Sequence, residues 1–166
     1  MKYIFIIICI IVYFLPVDIL LAGYSDNSPV YTFFIYMVFH KSFIHLSLNM
    51  MSFYFIYGSI NIKDRLFLLL YPGSVLIAFL SSMPEPTIGA SGLIYILCGI
   101  RSGAIITIPY KFIPFFTLVI SSITIGFLLP GINGLIHLLG FSLGFLAYIV
   151  KSIFNETDSV IHKGRE

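Results

Sequence analysis

The chain alternates between long apolar runs and short polar or proline-rich breaks. Apolar stretches lie near 3–22, 44–61, 66–82, 90–108, 112–129 and 133–150, each close to the roughly 17–25 residues that carry a helix across a bilayer core. The breaks are Gly23 to Asn27 with Pro29, Lys63-Asp64-Arg65, Pro84-Glu85-Pro86, Pro109-Tyr110-Lys111, and Pro130-Gly131 ahead of Asn133-Gly134, residue types that end helices and turn the chain. The runs are apolar on every side, so helical periodicity marks no buried face. The pattern predicts an all-α, polytopic membrane protein: a six-helix bundle over residues 1–150 and a polar cytoplasmic tail over 151–166. A signal peptide with Lys2 as its basic flank is the other reading of the first run. Its length, Pro16, Asp18 and the lack of a small-x-small cleavage site argue instead for a retained helix.

Composition names the solvent. With 59% of residues apolar and 10% charged, there is too little polar surface to cover a water-facing shell. Lipid therefore surrounds the bundle. The formal charge is +2 and the basic residues stand singly, which excludes a nucleic-acid partner. Those basic residues set the orientation instead, because Lys and Arg crowd cytoplasmic loops. With the N-terminus inside, Lys2, Lys63, Arg65, Arg101, Lys111, Lys151, Lys163 and Arg165 all fall on the cytoplasmic side and Lys41 alone falls outside. The expectation is a multi-pass protein of the cell (inner) membrane with both termini cytoplasmic. Cys9 and Cys98 lie within apolar runs, where thiols behave as small buried hydrophobes and suggest no disulfide.

Polar residues inside such runs are costly and face the bundle interior for a reason. His45 and Asn49 lie four apart on one face of the second run, Ser91 starts the fourth with Tyr95 one turn below, and His137 starts the sixth ahead of Gly140 and Gly144. At about 1.5 Å of rise per residue, His45 stands roughly 27 Å above Lys63, His137 roughly 21 Å above Lys151 and Ser91 roughly 15 Å above Arg101. All fall in the outer half of the bilayer.

A serine, two histidines and an asparagine at similar depth suit acyl transfer. A serine hydroxyl becomes a competent nucleophile when a base takes its proton, and His137 is the candidate base. The developing oxyanion needs fixed donors in a site of low dielectric, which His45, the Asn49 amide and the Ser91 N–H can supply. Gly89 and Gly92 let the backbone turn and substrate approach, while Gly140 and Gly144 let the sixth helix come close to the fourth. No carboxylate stands nearby, so the set reads as a dyad, with Tyr95 packing on the His137 ring to orient it. No metal or cofactor is expected, since the histidines come without carboxylates or cysteines at ligand spacing. Other serines in the runs, such as Ser47, Ser52, Ser59, Ser74, Ser121 and Ser142, are expected to bond back to their own helix. His40 is expected to be structural, and His162 solvated.

These residues carry a resemblance to the rhomboid family of intramembrane serine proteases. HLSLN at 45–49 resembles that family's His-x-x-x-Asn, GASG at 89–92 its Gly-x-Ser-Gly, and HLLGFSLG at 137–144 its His-x-x-Gly-x-x-x-Gly. The resemblance covers roughly 40–150 and implies the six-helix rhomboid core. It implies a serine endopeptidase that hydrolyses transmembrane substrates near the outer membrane face. Ser91 would be the nucleophile, His137 the base, and His45 and Asn49 the oxyanion donors. Two departures stand out: the first loop, Gly23 to Phe43, is short and the chain has no tryptophan where the family usually carries a Trp-Arg pair, and Ile136 replaces a small residue before the histidine. Three alternatives remain: a non-proteolytic relative that binds transmembrane helices, a rhombosortase-like processor of C-terminal sorting signals, and a small transporter or channel whose path the polar residues line. Substrate identity and oligomeric state are not encoded in any motif.

Overall fold

In the computed structural model, which describes residues 2–60 and 64–163, the chain is helical, with no strand among the described residues. The helices are α1 (Lys2–Tyr13), α2 (Ile19–Ala22), α3 (Thr32–Ile35), α4 (Phe43–Ser59), α5 (Asp64–Leu80), α6 (Ser91–Ile105), α7 (Pro109–Leu128) and α8 (Gly134–Lys163), with a 3-10 turn over Tyr36–Val38. Lys63 and Arg165 lie outside the described residues.

The first apolar run is not one helix over 3–22. α1 stops at Tyr13, and the next two amides, of Phe14 and Leu15, tighten into bonds three residues back to Ile11 and Val12. Pro16 follows, with no N–H to continue the ladder and a ring that crowds the preceding turn. The chain resumes as the short α2. At twelve residues, α1 spans about 18 Å, well under the roughly 30 Å of a bilayer core. By length and composition, α7 and the stretch Gly134–Ile153 of α8 are long and apolar enough to cross a membrane, whereas Lys2–Tyr13, Phe67–Leu80 and Ser91–Ile105 are shorter apolar helices.

α6 is the central element. Most of its residues, including Leu93, Ile96, Leu97 and Ile100, are buried, and α4, α5, α7 and α8 all pack against it. Its contact with α8 is backbone on backbone. A Cβ added at Gly144 would collide with the Ile96 carbonyl, and one at Gly99 with the Phe141 carbonyl. Small residues are what allow helices to approach this closely where lipid provides no hydrophobic drive between them. The outer faces of α1, α4, α5 and α7 carry large exposed apolar side chains, among them Ile11, Phe55, Leu69, Leu118 and Leu128. That surface belongs in lipid, not water.

The segment between α1 and α4 is pinned rather than loose. Tyr24 and Thr87 exchange backbone bonds of 3.1 and 2.9 Å in an isolated antiparallel bridge. The Tyr36 hydroxyl donates to the Ser74 carbonyl at 3.1 Å and that of Tyr71 to the Phe34 carbonyl at 2.8 Å. These bonds fasten the first loop to α5 and to the loop that leads into α6.

Candidate functional site

α4, α6 and α8 all begin at one end of the molecule, and the polar residues of the apolar runs meet there. Ser91 is the first residue of α6. The loop before it turns at Gly89, whose φ of 113° lies in the left-handed region that side chains avoid. Glycine is needed there twice over, because a Cβ would also sit 2.7 Å from His45 Nε2 and 3.4 Å from Asn49 Nδ2. The imidazole and the amide of α4 therefore lie directly against the loop that delivers Ser91. Beyond Gly89, the Gly89 N–H donates to the Tyr36 carbonyl at 3.0 Å, which fixes the loop from its other side.

The His45 ring has a defined hydrogen-bonding sense. Ser42 caps α4 by accepting from the His45 N–H at 3.2 Å, and His45 Nδ1 accepts from the Lys41 N–H at 3.4 Å. With Nδ1 an acceptor, the proton of the neutral ring resides on Nε2, the nitrogen facing Gly89. Asn49 is 7% exposed. His40 is buried and packs edge-on to His45, with ring centroids 5.1 Å apart.

His137 lies one turn into α8. Its ring stacks on Tyr95 of α6, with centroids 4.3 Å apart and planes 19° from parallel. The Tyr95 hydroxyl in turn donates to Ser122 Oγ of α7 at 2.7 Å, which holds the stacking partner from behind. His137 Nδ1 is buried without a partner and faces Gly126, where an added Cβ would come within 3.0 Å. The opposite edge, with Nε2, is the one left for chemistry. Ile136, the departure beside this histidine, is fully buried and packs over Gly92, where a Cβ would meet its Cδ1 at 2.8 Å. Gly92 thus accommodates the larger residue. Gly140 follows one turn later against the Gly92 carbonyl and Tyr95.

The structure thus brings Gly89, Ser91, Gly92, Tyr95, His45, Asn49, His137 and Gly140 to one place, with Gly144 further along the same contact. It does not join Ser91 Oγ to His137: no hydrogen bond links the two side chains among the described residues. Ser91 is half-buried, and α6 starts without a side-chain cap. Its first-turn N–H groups, which have no partner within the helix, make the positive end of the helix dipole at Ser91. Ser59 and Ser74 differ: their hydroxyls donate to the carbonyls of Ile56 and Tyr71 three residues back.

Two residues of this region hold places that none of the motifs marks. Asn133 served only as a helix break, yet its side chain caps α8, Oδ1 accepting from the Ile136 N–H at 3.2 Å. An Asn immediately ahead of a helix is a cap signal. Gly126 carried no signal, since its role rests on the approach of α7 to His137.

A model of the rhomboid domain matches residues 27–153. No curated protein matches the sequence. With that match over most of its length, the chain belongs to the rhomboid family, a family that includes intramembrane serine proteases, and it is a membrane protein.

Proposed function

We propose that this protein is an intramembrane serine endopeptidase whose dyad is Ser91 and His137. The observation that carries the reading is the convergence of three helix starts, with His45 and Asn49 against Gly89 on one side of Ser91 and the Tyr95-stacked His137 on the other. In this mechanism Ser91 Oγ attacks the scissile carbonyl while His137 Nε2 takes its proton. The carbonyl oxygen becomes an oxyanion facing the Ser91 N–H, His45 Nε2 and the Asn49 amide. Collapse of this intermediate expels the amine, which receives the proton from the imidazolium. Water, activated by the same histidine, then hydrolyses the acyl-serine. The Ser91–His137 hydrogen bond forms once substrate fills the site, as catalytic contacts commonly tighten in the loaded complex.

The proposed setting is a multi-pass arrangement of six membrane-spanning segments in the cell (inner) membrane, both termini cytoplasmic, with α1, the Pro16 break and α2 together forming the first. Lys2 lies over the Tyr54 ring at 3.9 Å, and Arg101 donates to the Ser59 carbonyl at 3.0 Å. Both cations therefore gather at the far end of α4 from His45, the end that faces the cytoplasm under the positive-inside rule. α6 has 15 residues and spans about 22 Å, which sets Ser91 beneath the outer surface. Substrates are transmembrane segments that unwind near that surface.

The test is cleavage of a transmembrane reporter in proteoliposomes. Wild type is expected to cut, and Ser91→Ala and His137→Ala to be inactive at unchanged thermal stability. Cleavage that survives both substitutions would favour a non-proteolytic, helix-binding relative with a contaminating protease.

A further inference from the structure

One buried amide joins the start of α8 to three other parts of the chain. Asn133 is 6% exposed, and its Oδ1 supplies the helix cap. Its Nδ2 points away from α8 and donates to the Ser81 carbonyl at 2.8 Å, to Thr87 Oγ1 at 3.1 Å and to the Tyr24 hydroxyl at 3.3 Å. Two amide hydrogens serve three acceptors, so one is shared. Tyr24 and Ser81 are themselves hydrogen-bonded at 3.0 Å. Burial pushes the Tyr24 hydroxyl up to about 12, which keeps it a neutral member of the group.

The placement matters more than the number of bonds. Thr87 stands four residues before Ser91 and Asn133 four residues before His137, so this amide links the two segments that deliver the proposed nucleophile and base. The glycine-lined contact of α6 with α8 brings the backbones together, and Ile136 over Gly92, the Tyr95–His137 stack and Tyr148 over Gly103 interlock along it. A polar tie at the end of that contact pins the two helix starts to each other, because breaking it leaves buried donors and acceptors unpaired. A cap alone needs only Oδ1, and Ser, Thr or Asp would serve. The tie needs the amide hydrogens.

We infer that Asn133 is a positioning residue for the Ser91–His137 pair, an inference that rests on the hydrolase reading of that pair. The experiment measures fluorophosphonate labelling rates and thermal unfolding of the full chain in detergent for wild type, Asn133→Asp and Thr87→Val. Asn133→Asp keeps the cap and replaces the donors with an acceptor. Both variants are expected to label about tenfold to a hundredfold more slowly, as small misplacements of reacting groups do, with half-saturating probe concentration unchanged and at temperatures where they are fully folded. Labelling of Asn133→Asp at the wild-type rate would reduce the residue to a cap and overturn the inference. So would rates that fall only in step with the folded fraction. Should Asn133→Asp not fold, Thr87→Val decides, and a wild-type rate there overturns the inference. A wild type that does not label removes the hydrolase reading itself, whereas a labelled wild type beside unaffected variants removes only the role of Asn133.

Discussion

The starts of α6 and α8 face each other and are finished in opposite ways. α8 opens on Asn133, with its cap made and its amide tied to Ser81, Thr87 and Tyr24, and it carries a histidine clamped by Tyr95. α6 opens on Ala90 with no side-chain cap, behind a glycine in a left-handed turn, and its first residue is a half-buried serine without a hydrogen bond back to its own helix. An uncapped, buried helix start is ordinarily a defect. Here it leaves N–H donors uncommitted beside the hydroxyl, while the partner helix is fixed in place. The fold thus commits polar contacts to holding His137, the proposed base, and leaves the N–H donors beside Ser91, the proposed nucleophile, open for an incoming carbonyl.

The contrast fails most completely if the helices are forced apart. Gly144→Val puts a branched side chain into the Ile96 carbonyl, and overpacking of this kind costs about 1–3 kcal/mol or more. A large drop in melting temperature in detergent and loss of cleavage are expected. Gly89→Ala strikes the α6 start alone. Its strained φ and contact with His45 cost roughly 1–3 kcal/mol, and cleavage should fall about a hundredfold as the reacting groups shift, while α8 packing, read by thiol accessibility of Cys98 at the interior of α6, stays as in wild type. Tyr95→Ala loosens His137 by removing a ring contact worth about 0.5–1.5 kcal/mol beyond its buried area. It should lower kcat up to about tenfold, and Tyr95→Phe, which keeps the stack, should recover most of that loss.

The smallest effect concerns pH. Burial and the neighbouring His45 hold His40 at about 4, below its ordinary 6.5. The unfolded chain takes up that proton near 6.5 and the folded one only near 4, so the unfolded state binds more protons between these values. The His40 contribution is therefore complete above pH 6.5 and is lost as pH falls toward 4. Melting temperatures at pH 7.5 and 5 should differ more for wild type than for His40→Phe.

Much of this was legible in the sequence because it depends on local order. The apolar runs and their Pro and Gly breaks mark α4 to α8 to within a few residues up to position 150, and four-residue spacing sets His45 with Asn49, and Ser91 with Tyr95, on common faces. What escaped depends on contacts far apart in the chain. Pro16 was visible, yet the runs on either side of it read as one helix because apolarity does not reveal a break in the hydrogen-bond ladder. The Asn133 tie spans from position 24 to position 133, and no short motif encodes its partners. The reach of α7 to His137 through Gly126 was equally silent.

The most direct measurement is fluorophosphonate labelling of the purified protein, with the adduct located by peptide mass spectrometry, in wild type, Ser91→Ala and His137→Ala. An adduct is expected on Ser91 in wild type, none in Ser91→Ala and almost none in His137→Ala, all three equally folded. An adduct on another residue, or no adduct in folded wild type, would contradict the Ser91–His137 dyad.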